Sequence, residues 1–272
     1  GKSLTVAGVV LMLNAAATVI GNLVGGVLFD KIGGYKTILI GIIITLVSVT
    51  LLMFFHGWPI YVYLLILIGF GSGIVFPATY ALAGTVWPEG GRKPFNAIYV
   101  AQNIGVAAGA SLGGIVASFS FTYIFIANAA LYAIFFFIAI FGYRNIDDTN
   151  VSQTSILEEN RKGNNGPRFQ ALVILCIGYL LCWVGYVQWS TTISSHTQSL
   201  DISLSQYSLL WTVNGVLIVC AQPLISLFVK YFAKTLKKQM IVGFFVFIIS
   251  YIVAANAEHF TSFLVAMAIL TF

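Results

Sequence analysis

The chain has 272 residues, 59% of them apolar and 8% charged, with a formal charge of +5 at pH 7. A soluble domain carries about 25% Asp, Glu, Lys and Arg, so a water-soluble globule is excluded and lipid is the solvent to reason with. Nucleic-acid binding is excluded too, because the basic residues are not interleaved with aromatics on a polar face.

Nine apolar runs follow one another: Leu4–Phe29, Thr37–Phe55, Ile60–Val86, Phe95–Ser118, Tyr123–Tyr143, Phe169–Ser190, Tyr207–Val229, Gln239–Asn256 and Phe260–Phe272. A bilayer needs roughly 20 mostly apolar residues per helix, so the first eight predict spans and the ninth is too short for one. Trp58, Pro59, Trp87 and Pro88 bracket the third run, as interfacial aromatics and helix ends do. Cys176, Cys182 and Cys220 fall inside runs, where they read as small packing residues.

Alternating the runs up and down divides the 13 basic residues twelve to one, with only Lys2 on the poorer side. The basic side is cytoplasmic by the positive-inside rule, which places loops 30–36, 87–94, 144–168 and 230–238 there. All eight acidic residues fall in loops or at helix ends. His56, His196 and His259 fall in breaks on the opposite side and show no metal spacing, so no metal site is expected.

An internal repeat appears at an offset of 200: Asn14 meets Asn214, Asn22 meets Gln222, Gly26 meets Ser226 and Asp30 meets Lys230. Further on, Lys36-Thr-Ile-Leu-Ile-Gly41 resembles Lys238-Gln-Met-Ile-Val-Gly243. The paired helices are six spans apart, so the two repeats run parallel through the membrane. The polar break 144–168 separates them, giving an N-terminal half over 1–143, an inter-domain loop over 144–168 and a C-terminal half over 169–272. Completing both halves to six helices calls for one helix before Gly1 and about two and a half after Phe272.

The run Gly26-Val-Leu-Phe-Asp30-Lys31-Ile-Gly33-Gly-Tyr-Lys36 resembles the signature loop of the major facilitator superfamily. Pro88-Glu-Gly-Gly-Arg92 resembles the turn after that family's fourth helix. Gly105-x-x-x-Gly109-Ala-x-x-Gly113-Gly114 resembles the antiporter signature of its fifth, and the bacterial drug:proton antiporter branch is the nearest match. Three positions depart from the pattern: Ala110 stands for Pro, Leu65 for an Arg tied to proton coupling, and Gly34 for a basic residue. The resemblance implies an all-α fold of two parallel six-helix halves, represented here by family helices 2 to part of 10.

It further implies a multi-pass transporter in a bacterial plasma membrane that exports small solutes by alternating access, as a monomer driven by a proton gradient. The alternatives are a uniporter or symporter of a neutral solute and a non-transporting sensor. Gly26, Asp30, Lys31, Gly33 and Lys36 would form the gating loop, with Asp30 as a latch. Gly105, Gly109, Gly113 and Gly114 form a smooth helix-packing face. Cavity candidates are the polar and aromatic residues inside spans: Tyr179, Trp183, Gln188, Tyr80, Gln102, Asn103 and Trp211. Asn14 and Asn214, at equivalent repeat positions, are expected at the domain interface. No phosphate-binding loop, nucleophile–base pair or metal cluster occurs in the runs, so neither an enzyme nor a cofactor is expected.

Overall fold

The structure, a computed structural model, describes residues 4–55, 57–91, 93–146 and 166–271. Most of the break at 144–168, with His56 and Arg92, lies outside them. The described helices are α1 (Leu4–Ile32), α2 (Gly34–Phe54), α3 (Ile60–Val86), α4 (Lys93–Phe119), α5 (Phe121–Gly142) and α6 (Gly166–Val187). They continue with α7 (Thr192–Ser199), α8 (Leu204–Cys220), α9 (Gln222–Tyr231), α10 (Leu236–Ala255) and α11 (Phe260–Thr271). Seven of the described helical stretches are long and apolar enough to cross a membrane, eight if the bent pair α8–α9 is counted as one span.

Two runs differ from their sequence reading. The seventh, expected to be one helix over Tyr207–Val229, is broken after Cys220 and bends by 56°. Pro223 lacks the N–H that would continue the ladder, and its ring excludes a straight path. Past the sixth run the chain turns at residues 188–191 and forms the eight-residue α7, too short and polar to register as an apolar run.

Residues Gly1–Tyr99 and Phe119–Gln153 form one compact unit; Val100–Ser118 and Thr154–Phe272 form another. In the first, α3 packs against both α1 and α2. The segment Gly69-Phe-Gly71-Ser-Gly73 makes this possible by putting glycine on two opposite faces. A Cβ on Gly73 would strike the Thr18 carbonyl of α1, and one on Gly69 would lie 2.6 Å from the Asn14 carbonyl. On the other face, a Cβ on Gly71 would lie 2.5 Å from Thr45 Oγ1 of α2. Glycine costs a helix about 1 kcal/mol relative to alanine, which the close approach of three backbones offsets through dispersion. Beneath these contacts Phe29, Ile38, Ile42, Ala78, Leu82 and Ala139 form a core drawn from α1, α2, α3 and α5.

Several polar side chains of α2 are satisfied locally. Thr37, Thr45 and Ser48 donate to the carbonyls of Gly33, Gly41 and Ile44 at 2.8, 2.9 and 2.7 Å. Where no water competes, each hydroxyl must bond inside the protein, and the carbonyl four residues back is the nearest acceptor.

The second unit repeats the pairing. α11 packs against α8 and α10 as α3 packs against α1 and α2. Its core gathers Trp189, Ile202, Tyr207, Leu210, Ala254, Phe263 and Met267, and Ser250 Oγ donates to the Ala266 carbonyl at 2.7 Å. Ser203 starts α8 with a capping box to Gln206. Large apolar side chains such as Leu23, Phe141 and Ile174 stand exposed, as expected where the surrounding solvent is hydrocarbon.

Candidate functional site

The loop between α1 and α2 is a single residue wide. Gly33 takes φ +85°, a conformation that glycine adopts without strain, and its N–H bonds the Phe29 carbonyl at 3.0 Å. Its own carbonyl accepts from Thr37, so α1 hands directly to α2. Asp30 and Lys31 stand exposed on the last turn of α1, and Lys36 is exposed on the first of α2. Gly34 is buried, and a Cβ there would lie 2.7 Å from Phe29 Cε2 and 3.3 Å from Leu82 Cδ1. No described atom lies within 4 Å of a Cβ placed on Gly26.

In the second unit the structure joins several of the aromatic candidates into one row. Tyr179 stacks on Trp183 with centroids 6.0 Å apart and planes 13° apart; Trp183 stacks on Tyr186 at 5.1 Å and 13°. Tyr186 meets Trp211 of α8 edge-on at 5.9 Å. Spacings of four and three residues place all three α6 rings on one helix face. A shallow depression of about 430 Å³ runs along α6, lined by Tyr179, Leu180, Trp183, Val184, Val187 and Gln188. Tyr179 and Trp183 are 67% and 53% exposed. Gln188 supplies a polar end, its Oε1 accepting from Thr192 Oγ1 at 2.6 Å.

Tyr186, Tyr207, Trp189 and Tyr251 extend this row, and the run-based reading had not singled them out. The Tyr207 hydroxyl donates to the Trp189 carbonyl in the turn after α6 and accepts from Trp211 Nε1 at 3.0 Å. Tyr251 of α10 donates to the Gly185 carbonyl at 2.5 Å. Two tyrosines thus anchor the end of α6, and one of them fixes the indole facing the row. The sequence signal was the density of Tyr and Trp in these three runs.

Within the same unit α4 lies against α8. Ser111 and Thr212 hydroxyls are 2.5 Å apart, a Cβ on Gly215 would strike Ala107, and one on Gly114 would lie 2.9 Å from Ser208 Oγ. The close approach therefore uses Ala107, Ser111 and Gly114 facing Ser208, Thr212 and Gly215, a small-residue seam. No described atom lies within 4 Å of Cβ positions at Gly105, Gly109 and Gly113. Of the other candidates, Gln102 is exposed and Asn103 half-buried on α4. Tyr80 stacks on Phe76 and Phe95, each at 6.4 Å. Asn14 Nδ2 donates to the Leu65 carbonyl of α3 at 2.6 Å, and Asn214 Nδ2 donates to Thr271 Oγ1 of α11 at 2.8 Å. Each asparagine thus joins two helices of its own unit.

The family described as Major Facilitator Superfamily matches residues 1–272. The chain belongs to the major facilitator superfamily. It is 63% identical over 271 residues to the uncharacterized MFS-type transporter YttB of Bacillus subtilis (strain 168), covering 100% of this chain and 68% of that protein. A second Bacillus subtilis (strain 168) protein, the uncharacterized MFS-type transporter YqjV, is 24% identical over 86% of this chain and 58% of its own length. The crystal structure of the nucleoside transporter NupG shares the fold, with a TM-score of 0.66 at 13% identity over 97% of this chain and 68% of that one. The chain is thus an all-helical part of a superfamily transporter, a multi-pass membrane protein whose family carries small molecules.

Two of the three departures from the superfamily pattern have structural counterparts. At Gly34 a side chain would begin against Phe29 and Leu82, its Cβ 2.7 Å from the Phe29 ring. Nothing in the structure explains Leu65, whose backbone carbonyl accepts from Asn14 regardless of the side chain there. Ala110 lies within α4, which runs unbroken from Lys93 to Phe119, where a proline would remove one ladder hydrogen bond.

Proposed function

We propose that the full-length protein is a secondary active carrier that exports small solutes in exchange for protons by alternating access. The aromatic face of α6 would form part of the solute's path. The observation that carries this is the row Tyr179–Trp183–Tyr186–Trp211, an apolar, ring-lined face with Gln188 at one end, in a unit whose helix pairing repeats that of the first. Such a face suits solutes with flat or apolar bodies, which gain by stacking at little desolvation cost. The exchange for protons rests on the likeness of the Gly26–Lys36 loop and the Gly105–Gly114 pattern to drug:proton antiporters. In this proposal Asp30 latches one closed state, and the loops at 30–36, 87–94, 144–168 and 230–238 face the cytoplasm of a bacterial cell. The protein works as a monomer.

Leu65 and Ala110 favour a second reading, uniport or symport of a neutral solute, because they stand where coupled antiporters of the family carry Arg and Pro. Everted membrane vesicles containing the full-length protein separate the two. With an inside-acid gradient the first reading predicts accumulation of a lipophilic dye cation that collapses when the gradient is dissipated. Tyr179→Ala with Trp183→Ala should raise the apparent KM roughly tenfold, the loss of two stacking contacts of about 0.5–1.5 kcal/mol each. Dye movement indifferent to the gradient contradicts antiport, and unchanged kinetics in the double variant removes α6 from the path.

A further inference from the structure

Tyr207 of α8 is buried in the core of the second unit, where a hydroxyl must find its partners inside the protein. It donates to the Trp189 carbonyl and accepts from Trp211 Nε1, one turn along the same helix, at 3.0 Å. The indole N–H is the single polar group of a tryptophan side chain, and it can only donate. Bonded to Tyr207 it is turned back into the core, so beyond that bond Trp211 offers ring carbon alone. The torsion that turns an indole on its Cβ is broad and roughly two-fold, which leaves the ring a second orientation. The bond to Tyr207 selects one of the two. That choice bears on the whole row, because Trp211 meets Tyr186 edge-on, Tyr186 stacks on Trp183, and Trp183 stacks on Tyr179.

The pair is not required by the helix pairing that the two units share. At the repeat offset of 200, Tyr207 and Trp211 correspond to Ala7 and Leu11 of α1, while Asn214 corresponds to Asn14. Helix α1 packs on α3 with neither phenol nor indole at those positions, as α8 packs on α11 with both. Of the two repeats, the one that holds the aromatic row is thus the one that carries the bonded Tyr–Trp pair. A wall of ring carbon with its N–H withdrawn suits an apolar ring edge. To a ring nitrogen or a carbonyl it returns nothing for the water that the acceptor gives up.

We propose that Tyr207 is a positioning residue that sets specificity. By holding the Trp211 N–H away from the solute, it biases the carrier toward flat solutes with apolar ring edges and against acceptor-bearing solutes of the same shape. The inference rests on the reading that the Tyr179–Trp211 row lies in the solute's path.

The test compares two quaternary ammonium probes, (anthracen-9-ylmethyl)trimethylammonium and (acridin-9-ylmethyl)trimethylammonium, which differ by one ring CH replaced by nitrogen. Saturable uptake of each into everted vesicles containing the full-length protein gives a KM, and the ratio of the two KM values is the readout. Wild type should favour the anthracenyl probe. Tyr207→Phe keeps the ring and releases the indole N–H, so the acridinyl KM should fall roughly three- to tenfold relative to the anthracenyl KM, the contribution of one neutral hydrogen bond. Maximal rates should stay the same for both probes. Trp211→Phe removes the N–H altogether and should keep the wild-type ratio, and adding Tyr207→Phe to it should change nothing more. The proposal is overturned if wild type does not favour the anthracenyl probe or if Tyr207→Phe leaves the ratio unmoved. It is also overturned if Tyr207→Phe shifts the ratio equally with and without Trp211→Phe, which would trace the effect to the Trp189 carbonyl. Should Tyr207→Phe fail to fold, Trp211→Phe decides alone, since a ratio that moves further toward the anthracenyl probe means that wild-type Trp211 already offers its N–H to the solute. The reading of the row fails separately, and the proposal with it, if wild type takes up neither probe saturably or if Tyr179→Ala with Trp183→Ala leaves both KM values unchanged.

Discussion

At the scale of single residues, glycines and asparagines divide by what their neighbours allow. Gly73 has the Thr18 carbonyl at its Cβ position, and backbone cannot rotate aside. Gly73→Ala should therefore destabilise the protein by about 2 kcal/mol or more, in the range of overpacked cores. Gly26→Ala meets open space and should be neutral or stabilising by up to about 1 kcal/mol, the propensity difference. Reversible unfolding in mixed micelles measures both, and equal effects would show that the α1–α3 contact is not as close as described. Asn14→Ala and Asn214→Ala remove one interhelical hydrogen bond each, and each should cost about 0.6 kcal/mol by the same measurement. A loss of several kcal/mol would mean that the asparagines hold more than one helix pair.

For elements, the sequence was legible where length and flanking residues decide. Trp58, Pro59, Trp87 and Pro88 mark both ends of α3, and the helix occupies Ile60–Val86 as read. It was illegible where a break hides inside an apolar run: Pro223 lies between Cys220 and Leu224, so hydropathy stays high while the ladder fails. Glycine spacing on α4 pointed to a packing face at Gly105, Gly109, Gly113 and Gly114, but of these only Gly114 has a neighbouring helix at its Cβ position among the described residues. The described partner of α4 is the Ser208–Thr212–Gly215 side of α8, reached through Ala107, Ser111 and Gly114. The aromatic candidates Tyr179 and Trp183 could be named from composition alone. The Tyr207–Trp189 link could not, because residues 18 apart meet only after the turn at 188–191 is built. A double-mutant cycle on Ser111→Ala and Thr212→Val tests the seam. The hydroxyl pair should show a coupling of about 0.6–1.7 kcal/mol in unfolding free energy, and zero coupling would remove it.

At the scale of the molecule, the two units share one internal pairing, α1 and α2 on α3 in the first and α8 and α10 on α11 in the second, and the family match and the relative of 63% identity make the chain part of a superfamily transporter. None of the described acidic residues, Asp30, Glu89, Asp201 and Glu258, lies in the middle of a span. The central claim, transport by a carrier, is tested most directly by counterflow. Purified full-length protein in liposomes preloaded with unlabelled lipophilic dye should accumulate the labelled dye transiently above equilibrium. An imposed inside-acid pH gradient should increase that accumulation, and Trp183→Ala should weaken it. Labelled dye, or any of a panel of neutral aromatic solutes, that equilibrates no faster than in protein-free liposomes under pH and sodium gradients alike would contradict the account.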